Sequence, residues 1–304
     1  MRLDPPAARL GRAVTERLPS RRACVGHLAM AGCMVVILGG LRDRGPAASQ
    51  ANSAVDVLLT TAPSGAEAPL GGPLAERCCR LLLDDAVVSL ATACDLQAVF
   101  HKREQIDGTL QDLNVMEIKV RREPASVYLR WNEPYEGREV IWREGADDGK
   151  LLVHGGGWRR RLVPLLKIDP YGERALEYSR RPVTEIGIWN FARRLQTQVA
   201  ADLKRGGLDV SMWHDRLMGG RACYCFELAH RAPGPDAPYQ RLEIYIDQAT
   251  GLPIACQRFN WAPPGGDARG VLDESYVYHE LVLNCGLSDA DFDPASSHYQ
   301  FGSR

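Results

Sequence analysis

Within the segment from Tyr239 to Asn260, Leu242, Ile244 and Ile246 alternate with Glu243, Tyr245 and Asp247 before a turn. A period of two residues is typical of a strand that buries one of its faces. The turn between the two runs ends in Gly251, which supplies the positive φ that a hairpin loop of this length needs. The segment therefore predicts a β-hairpin whose apolar face is formed by Leu242, Ile244 and Ile246 and, on the return, by Leu252, Ile254 and Cys256.

The same alternation recurs over most of the chain after Gln97, between turn signals such as Asp107-Gly108 and Glu136-Gly137. Two of these runs form an apolar face from Met116, Ile118, Val120, Val127, Leu129 and Trp131. Charged residues stand between them, so one side of the sheet is expected to be apolar and the other charged. The short spacing predicts an antiparallel meander. The last strand of the meander is predicted to have four residues on one side: Val277, His279, Leu281 and Leu283.

Two stretches of the chain have helical spacing instead. From Arg80 to Ala98, apolar residues recur at intervals of three or four, which predicts an amphipathic helix of about five turns. Cys94 is expected to be a small buried side chain on its apolar face. A second helix is predicted from Thr184 to Lys204, stopped by Gly206-Gly207. The predicted fold class is α+β, an antiparallel sheet strongly curved and covered by one or two helices.

The amino terminus has the layout of an export signal. Arginines precede an apolar run from Ala23 to Leu41, so the rest of the chain is expected outside the cytoplasmic membrane. Residues 1–41 are either a cleaved signal or a retained membrane anchor at 23–41, which would leave the protein periplasmic or held at the outer face of the membrane. Residues 42–79 predict a flexible tether rich in Ala, Pro and Gly. Residues 80–304 predict a single ligand-binding domain.

Charge is divided unevenly along the chain. Eight Arg and three acidic residues give residues 1–44 a charge of +5, and since the whole chain carries −1, the remainder carries −6. An acidic body is a poor candidate for nonspecific binding of nucleic acid, so none is expected as a partner. Positive clusters at residues 158–161, Arg180-Arg181 and Arg193-Arg194 are either solvated or bind anionic headgroups.

The sequence assigns no catalytic residue, metal or cofactor. It contains no nucleophile elbow, zinc helix, phosphate loop or dinucleotide fingerprint. Cys223 and Cys225 share one face of a strand, but no further ligand at zinc spacing accompanies them, so we expect them to pack in the core. Asp289, Asp291 and Asp293 alternate as in a calcium loop without its glycine and closing glutamate, which favours a solvated turn.

Five segments carry a resemblance to a known family: FHKREQIDG, VYLRWNEPYEGREVIW, SRRPVTEIGI, YIDQATGLPI and ESYVYHELVLNCGLSDADF. In this order they resemble an uncharacterised bacterial family, known as a domain of unknown function, over Arg80 to Phe301. YIDQATGLPI is also similar to a hairpin of the outer-membrane lipoprotein-sorting carriers, the LolA-like proteins. That resemblance implies a half-open antiparallel barrel closed by helices around an apolar cavity, a fold that carries acyl chains or lipoproteins.

The patterns predict a non-catalytic envelope protein with an apolar groove, and the resemblance implies that the groove binds a lipid-like or acylated ligand, such as a lipoprotein. The groove is expected to be lined by Met116, Ile118, Val120, Val127, Leu129, Trp131, Ile244 and Ile246. The same side chains could instead form a filled core against the second helix. Two other functions stay open: an envelope enzyme with His214 and Asp215 as its polar pair, and a scaffold whose sheet face docks another envelope protein. His279 is a further histidine with acid/base potential.

Overall fold

The computed structural model describes residues 68–156 and 165–301. The predicted export segment, most of the predicted tether and the basic cluster at residues 158–161 lie outside the described residues. Within the described ranges, no helix is both long enough and apolar enough to cross a membrane.

Thirteen strands in the described part of the chain form one antiparallel sheet. They are β1 (Leu70–Gly71), β2 (Asp95–Ile106), β3 (Thr109–Leu110), β4 (Asn114–Arg121), β5 (Ser126–Glu133), β6 (Glu139–Arg143), β7 (Leu151–His154), β8 (Leu166–Ile168), β9 (Leu208–Met218), β10 (Arg221–His230), β11 (Arg241–Asp247), β12 (Pro253–Asn260) and β13 (Val271–Leu283). Their order is β1-β9-β10-β11-β12-β13-β2-β4-β5-β6-β7-β8, and β3 pairs with β2 alone. The sheet is curved. It is not closed into a barrel, because β1 and β8 at its two edges do not pair with each other.

Three α-helices of the described chain accompany the sheet: α1 (Pro73–Ser89), α2 (Glu173–Leu176) and α3 (Ile188–Arg205). α1 and α3 contact each other and cover one face of the sheet, here called the inner face. The second predicted helix is present as α3, but it begins at Ile188 rather than at Thr184, which lies in a 3₁₀ turn; the helix is followed by Gly206, whose φ is 74°. The predicted fold class, a curved antiparallel sheet covered by helices, is therefore confirmed.

The first helix differs from its predicted range. It begins at Pro73, inside the predicted tether, and ends at Ser89, while Ala98 belongs to β2. Proline suits the first helical position, since its missing N–H would have no partner there. Cys94 lies beyond the helix and is exposed, which corrects the expectation that it is buried. Leu90, Cys94 and Ala98 are spaced by four, a spacing that also satisfies the two-residue period of a strand, so the pattern misled.

The main core lies between the inner face and the two long helices. Its buried members include Leu83, Leu96, Phe100, Ile118, Phe191, Leu195, Phe226 and Ile244. The opposite, outer face carries two smaller apolar clusters. One contains Met218, Cys223, Cys225, Tyr245, Ile254, Ala255 and Val277. The other packs the C-terminal segment onto β5 to β7 through Tyr128, Ile141, Leu152, Leu287, Phe292 and Tyr299. The outer face is thus partly apolar rather than uniformly charged.

The predicted hairpin is present as β11 and β12, and the φ of Gly251 is 70°. All seven residues of β11 are buried, because the outer cluster covers the face that was expected to be polar. The register shifts after Tyr245, which leaves Ile254 as the extra residue of a β-bulge. Ile254 therefore joins Tyr245 in the outer cluster, whereas the alternation had placed it with Leu252 and Cys256.

A second bulge corrects the prediction for the last strand. The pairing of β13 with β2 shifts at Glu280, whose φ is 51°. Val277 lies in the outer cluster, whereas Leu281 and Leu283 pack against the main core. One inserted residue reverses the side on which every later side chain lies, so the four predicted positions do not share a face.

Candidate functional site

A cavity of about 910 Å³ lies between the inner face of the sheet and the segment from Arg174 to Arg194. β2, β4 to β8 and β13 form its sheet side, while α2, the connection to α3 and the first turns of α3 form the other side. α1 packs elsewhere, against β1, β9 and α3. The volume lies within the range of about 300–1,000 Å³ that is typical of ligand pockets.

The floor of this cavity is apolar and well packed. It is formed by the buried side chains of Phe100, Met116, Leu129, Val140 and Leu151. Two of these floor residues lie on the paired strands β4 and β5. Met116 of β4 pairs with Trp131 of β5, and Leu129 of β5 pairs with Ile118 of β4. Half-buried residues continue the apolar surface outward: Trp131, Val153, Leu166 and Ile168.

Aromatic rings close one end of the floor. Phe100 lies 4.7 Å from Tyr278 between ring centroids, and Phe191 of α3 lies 5.4 Å from the same ring. On β5, two strands away from Phe100, the indole N–H of Trp131 donates to Asn114 Oδ1 at 2.8 Å. The Arg138 guanidinium lies 5.8 Å above the ring of Trp131, so this part of the cavity wall is amphipathic.

Three of the eight predicted lining residues, Met116, Leu129 and Trp131, lie on the cavity wall. The other five, Ile118, Val120, Val127, Ile244 and Ile246, are buried in the main core without lining the cavity. β11 is separated from β4 by three strands, so Ile244 and Ile246 are distant from the floor along the sheet. A cavity and a filled core are both present, at different places on the same inner face.

Charged residues cluster where β2, β13 and the connection to α3 meet. Glu104 Oε2 accepts hydrogen bonds from Lys102 Nζ at 3.0 Å and from the Arg180 backbone N–H at 3.1 Å. The Tyr276 hydroxyl donates to the other oxygen of this carboxylate. Burial alone would raise the pKa of Glu104, but Lys102 and these hydrogen bonds lower it overall, so the carboxylate is ionised at neutral pH.

A second carboxylate, Asp273, anchors two arginines beside this cluster. Arg180 binds it in a bidentate manner, with distances of 2.7 and 2.5 Å, and Arg258 Nε donates to it at 2.8 Å. Burial raises the pKa of Asp273, and the two guanidinium groups outweigh that effect and lower it. The neighbouring Glu274 lies 3.4 Å from Arg181 and from Arg258.

Sequence reasoning identified Arg180-Arg181 as a positive cluster and missed the carboxylates that pair with these arginines. In the sequence, Glu104 and Glu274 look like ordinary polar residues of a strand. Arg258 and Glu274 are paired across β12 and β13, and this register depends on a bulge that no pattern indicated. Only the arrangement of the strands brings these charges together.

The other candidate chemistry lies away from the cavity. His214 and Asp215 are exposed on β9, and neither lines the cavity. Cys223 and Cys225 are buried in the outer cluster, as expected for core packing. Asp291 instead takes part in a capping box with Ser288 in a short 3₁₀ turn. Among the described residues, no group of histidine, cysteine and carboxylate side chains is arranged to hold a metal ion.

The fold and the cavity define a class of protein in which an open antiparallel sheet encloses an apolar pocket under helices. The family of proteins of unknown function designated DUF1571 matches residues 94–301, and the chain belongs to this family. The resemblance predicted from the sequence motifs is therefore confirmed. No curated protein matches the chain.

Several solved structures are similar in fold. LprF from Mycobacterium bovis is 12% identical, with a TM-score of 0.40 over 73% of this chain and 97% of that one. A putative outer membrane lipoprotein-sorting protein domain from Vibrio parahaemolyticus is 11% identical, with a TM-score of 0.32 over 72% and 97%. The MucA/MucB complex of Pseudomonas aeruginosa contains a chain that is 15% identical, with a TM-score of 0.40 over 71% and 60%. At these identities the similarity does not extend to a ligand.

Proposed function

We propose that this chain is an exported cell-envelope protein that binds a lipid-like or acylated ligand in its cavity and catalyses no reaction. The apolar floor of a cavity of about 910 Å³ carries this proposal. An acyl chain on that floor would leave water, and each buried methylene contributes about 0.8 kcal/mol before the cost of ordering the ligand. A chain of ordinary length thus gains enough from burial to bind.

The predicted residues take two roles in this proposal. Met116, Leu129 and Trp131 contact the acyl chain, because they lie on the wall of the cavity. The remaining five hold the strands behind it as parts of the main core: Ile118, Val120, Val127, Ile244 and Ile246.

Export is proposed from the arginine-rich start and the apolar run of residues 23–41. An acylated molecule of the envelope would be met on that side of the membrane. A reporter that is active only in the cytoplasm, fused after Ala54, should give no signal. A bright reporter would contradict export.

Binding is best tested at Ile168, which lines the cavity from the edge strand β8 and is only half-buried. Ile168→Trp should fill part of the cavity and weaken the binding of a fluorescent fatty-acyl probe about tenfold or more, since two displaced methylenes already correspond to that factor. Lys167→Trp is the matched control, because Lys167 is exposed on the same strand and does not line the cavity. Its affinity should equal that of the parent.

Thermal unfolding of both variants shows whether each remains folded. Leu129 is a less suitable position, because it is only 3% exposed and a substitution there would affect folding and binding together. Ile168 is half-buried, so a change in binding there is easier to separate from a change in folding. A folded parent with no saturable binding of any acyl probe would reject the proposal. The docking of another envelope protein on the sheet would then become the leading function.

A further inference from the structure

Two arginines stand on the cavity wall beside the aromatic end of its floor. Arg181 lies in the connection before α3, and Arg194 lies one turn after Phe191 on α3. Both guanidinium groups sit against the same ring, since their central carbons are 5.9 and 5.7 Å from the centroid of Tyr276. Arg194 also lies 5.5 Å from the centroid of Phe191. The two cations thus face the cavity where the apolar floor ends.

The carboxylates nearby are already engaged by other cations. Lys102 binds Glu104, while Asp273 is held by Arg180 and Arg258. Glu274 is shared, because it lies 3.4 Å from both Arg181 and Arg258 and 3.6 Å from Arg180. Five cationic side chains, counting Arg194, therefore meet three carboxylates at this corner: Glu104, Asp273 and Glu274.

Arg194 has no ion pair with any residue of the described chain. The Nε of Arg181 is buried and has no hydrogen-bond partner among the described residues. Four further carboxylates line the cavity, and in the described part of the chain none is ion-paired with either arginine: Asp112, Glu136, Glu177 and Glu185. The charge of Arg194 and the Nε–H donor of Arg181 are therefore available to a ligand beside the apolar floor.

We infer that the ligand is an anionic amphiphile, whose carboxylate or phosphate headgroup binds between Arg181 and Arg194 while its acyl chain lies on Phe100, Met116 and Leu129. This inference rests on the proposed function and narrows its ligand class. A guanidinium group presents planar donors that match the oxygens of a carboxylate or phosphate, and such charge-assisted hydrogen bonds are strong. The Tyr276 ring behind both groups holds them in place by cation–π contact.

The test compares a fluorescent fatty acid with the methyl ester of the same chain, using the full chain of the protein. The parent should bind the acid about tenfold more tightly than the ester, a difference of about 1.4 kcal/mol. Arg194→Gln should abolish this preference by weakening the acid and leaving the ester unchanged. Arg193→Gln is the matched control, because Arg193 is the preceding residue of α3, is exposed and does not line the cavity. It should retain the preference.

Equal affinity of the parent for acid and ester would overturn the inference and leave the proposed function standing. An equal loss of acid and ester in Arg194→Gln would also overturn it, because Arg194 would then only pack against the wall. If neither probe binds the folded parent, the proposed function itself fails.

Two further ligands separate the possible sources of the anion. A long-chain alkyl phosphate should compete with the fatty acid for the site. Inorganic phosphate at the same concentration should leave the fatty acid bound, because it lacks the chain that the floor buries. Displacement by inorganic phosphate would instead identify a site for free anions and overturn the assignment of an amphiphile.

Discussion

The hydroxyl of Tyr239 donates a hydrogen bond to the carboxylate of Asp202, and both side chains are buried. Asp202 lies near the end of α3, where it also accepts hydrogen bonds from Gln198 at 2.9 Å and Arg205 at 2.8 Å. Burial, together with this carboxylate, raises the pKa of Tyr239, so the phenol keeps its proton and remains the donor. The contact ties α3 to the chain that leads into β11 and thereby fixes the helix on the inner face.

Tyr239→Phe should lower the free energy of unfolding by about 1.5–3 kcal/mol, the usual contribution of a hydrogen bond to a charged group. Urea unfolding of the parent and the variant measures this difference. Tyr224→Phe is the control, since Tyr224 is a half-buried tyrosine that also packs against the main core. Equal losses in the two variants would mean that removing any half-buried or buried tyrosine hydroxyl has this effect, and that the bond to Asp202 makes no particular contribution.

The ion pairs of this chain should differ in strength according to their burial. Asp273 is 3% exposed and holds Arg180 and Arg258, so Asp273→Asn should lower the free energy of unfolding by about 3–5 kcal/mol. Asp209→Asn breaks an exposed pair with Arg231 and should leave the urea midpoint unchanged. If both variants unfold at the same urea concentration, the buried cluster is not important for stability.

The sequence predicted those parts of the fold that depend on local periodicity. The alternation around Ile244 identified β11 and β12, and the stops at Gly206-Gly207 and Gly251 were placed correctly. The β-bulges could not be predicted, because a single inserted residue such as Ile254 or Glu280 leaves the composition of a strand unchanged while it reverses the faces beyond it.

The cavity could be predicted only in part, for a reason of topology. Met116, Leu129 and Trp131 belong to β4 and β5, whereas the main contacts of α1 with the sheet are to β1 and β9 at its other edge. Ile244 and Ile246 have the same alternation, yet their strand lies on the other side of β13, where neither residue lines the cavity. Periodicity identifies which face is apolar, and the order of the strands decides what covers it.

Two adjacent glycines form the turn between β9 and β10, and only one of them lies close to another side chain. Gly219 and Gly220 have φ values of 58° and 78°. A Cβ at Gly219 would lie 2.5 Å from His279 Nδ1, whereas a Cβ at Gly220 would meet nothing within 4 Å. The His279 ring cannot move away freely, because His101 lies against it.

Gly219→Ala should therefore destabilise the protein more than Gly220→Ala, by about 1–3 kcal/mol, the usual cost of overpacking. Both variants share the cost of a left-handed conformation, which cancels in the comparison. Thermal unfolding of the two variants side by side measures the difference. The same melting temperature for both would show that the His279 ring yields to the added methyl group.

Acid should weaken the fold through the histidine pair on β2 and β13. The rings of His101 and His279 are 4.2 Å apart between centroids. Burial, with a smaller contribution from His279, lowers the pKa of His101 from 6.5 to about 4. Burial also lowers the pKa of His279, and the nearby charge of Glu280 partly opposes this shift. In the unfolded chain both imidazoles recover the ordinary value near 6.5, so that state binds more protons at mildly acidic pH.

The contribution of this pair to stability is therefore complete above about pH 6.5 and decreases as the pH falls toward about 4. His101→Gln removes one titrating group and the repulsion between the two charged rings, so its free energy of unfolding should fall less steeply than that of the parent over this range. Urea unfolding of both proteins at several pH values from 4 to 8 gives the two slopes, and carboxylates common to both cancel in their difference. Parallel slopes would show that His101 titrates alike in the folded and unfolded states and that the pair has no part in acid sensitivity.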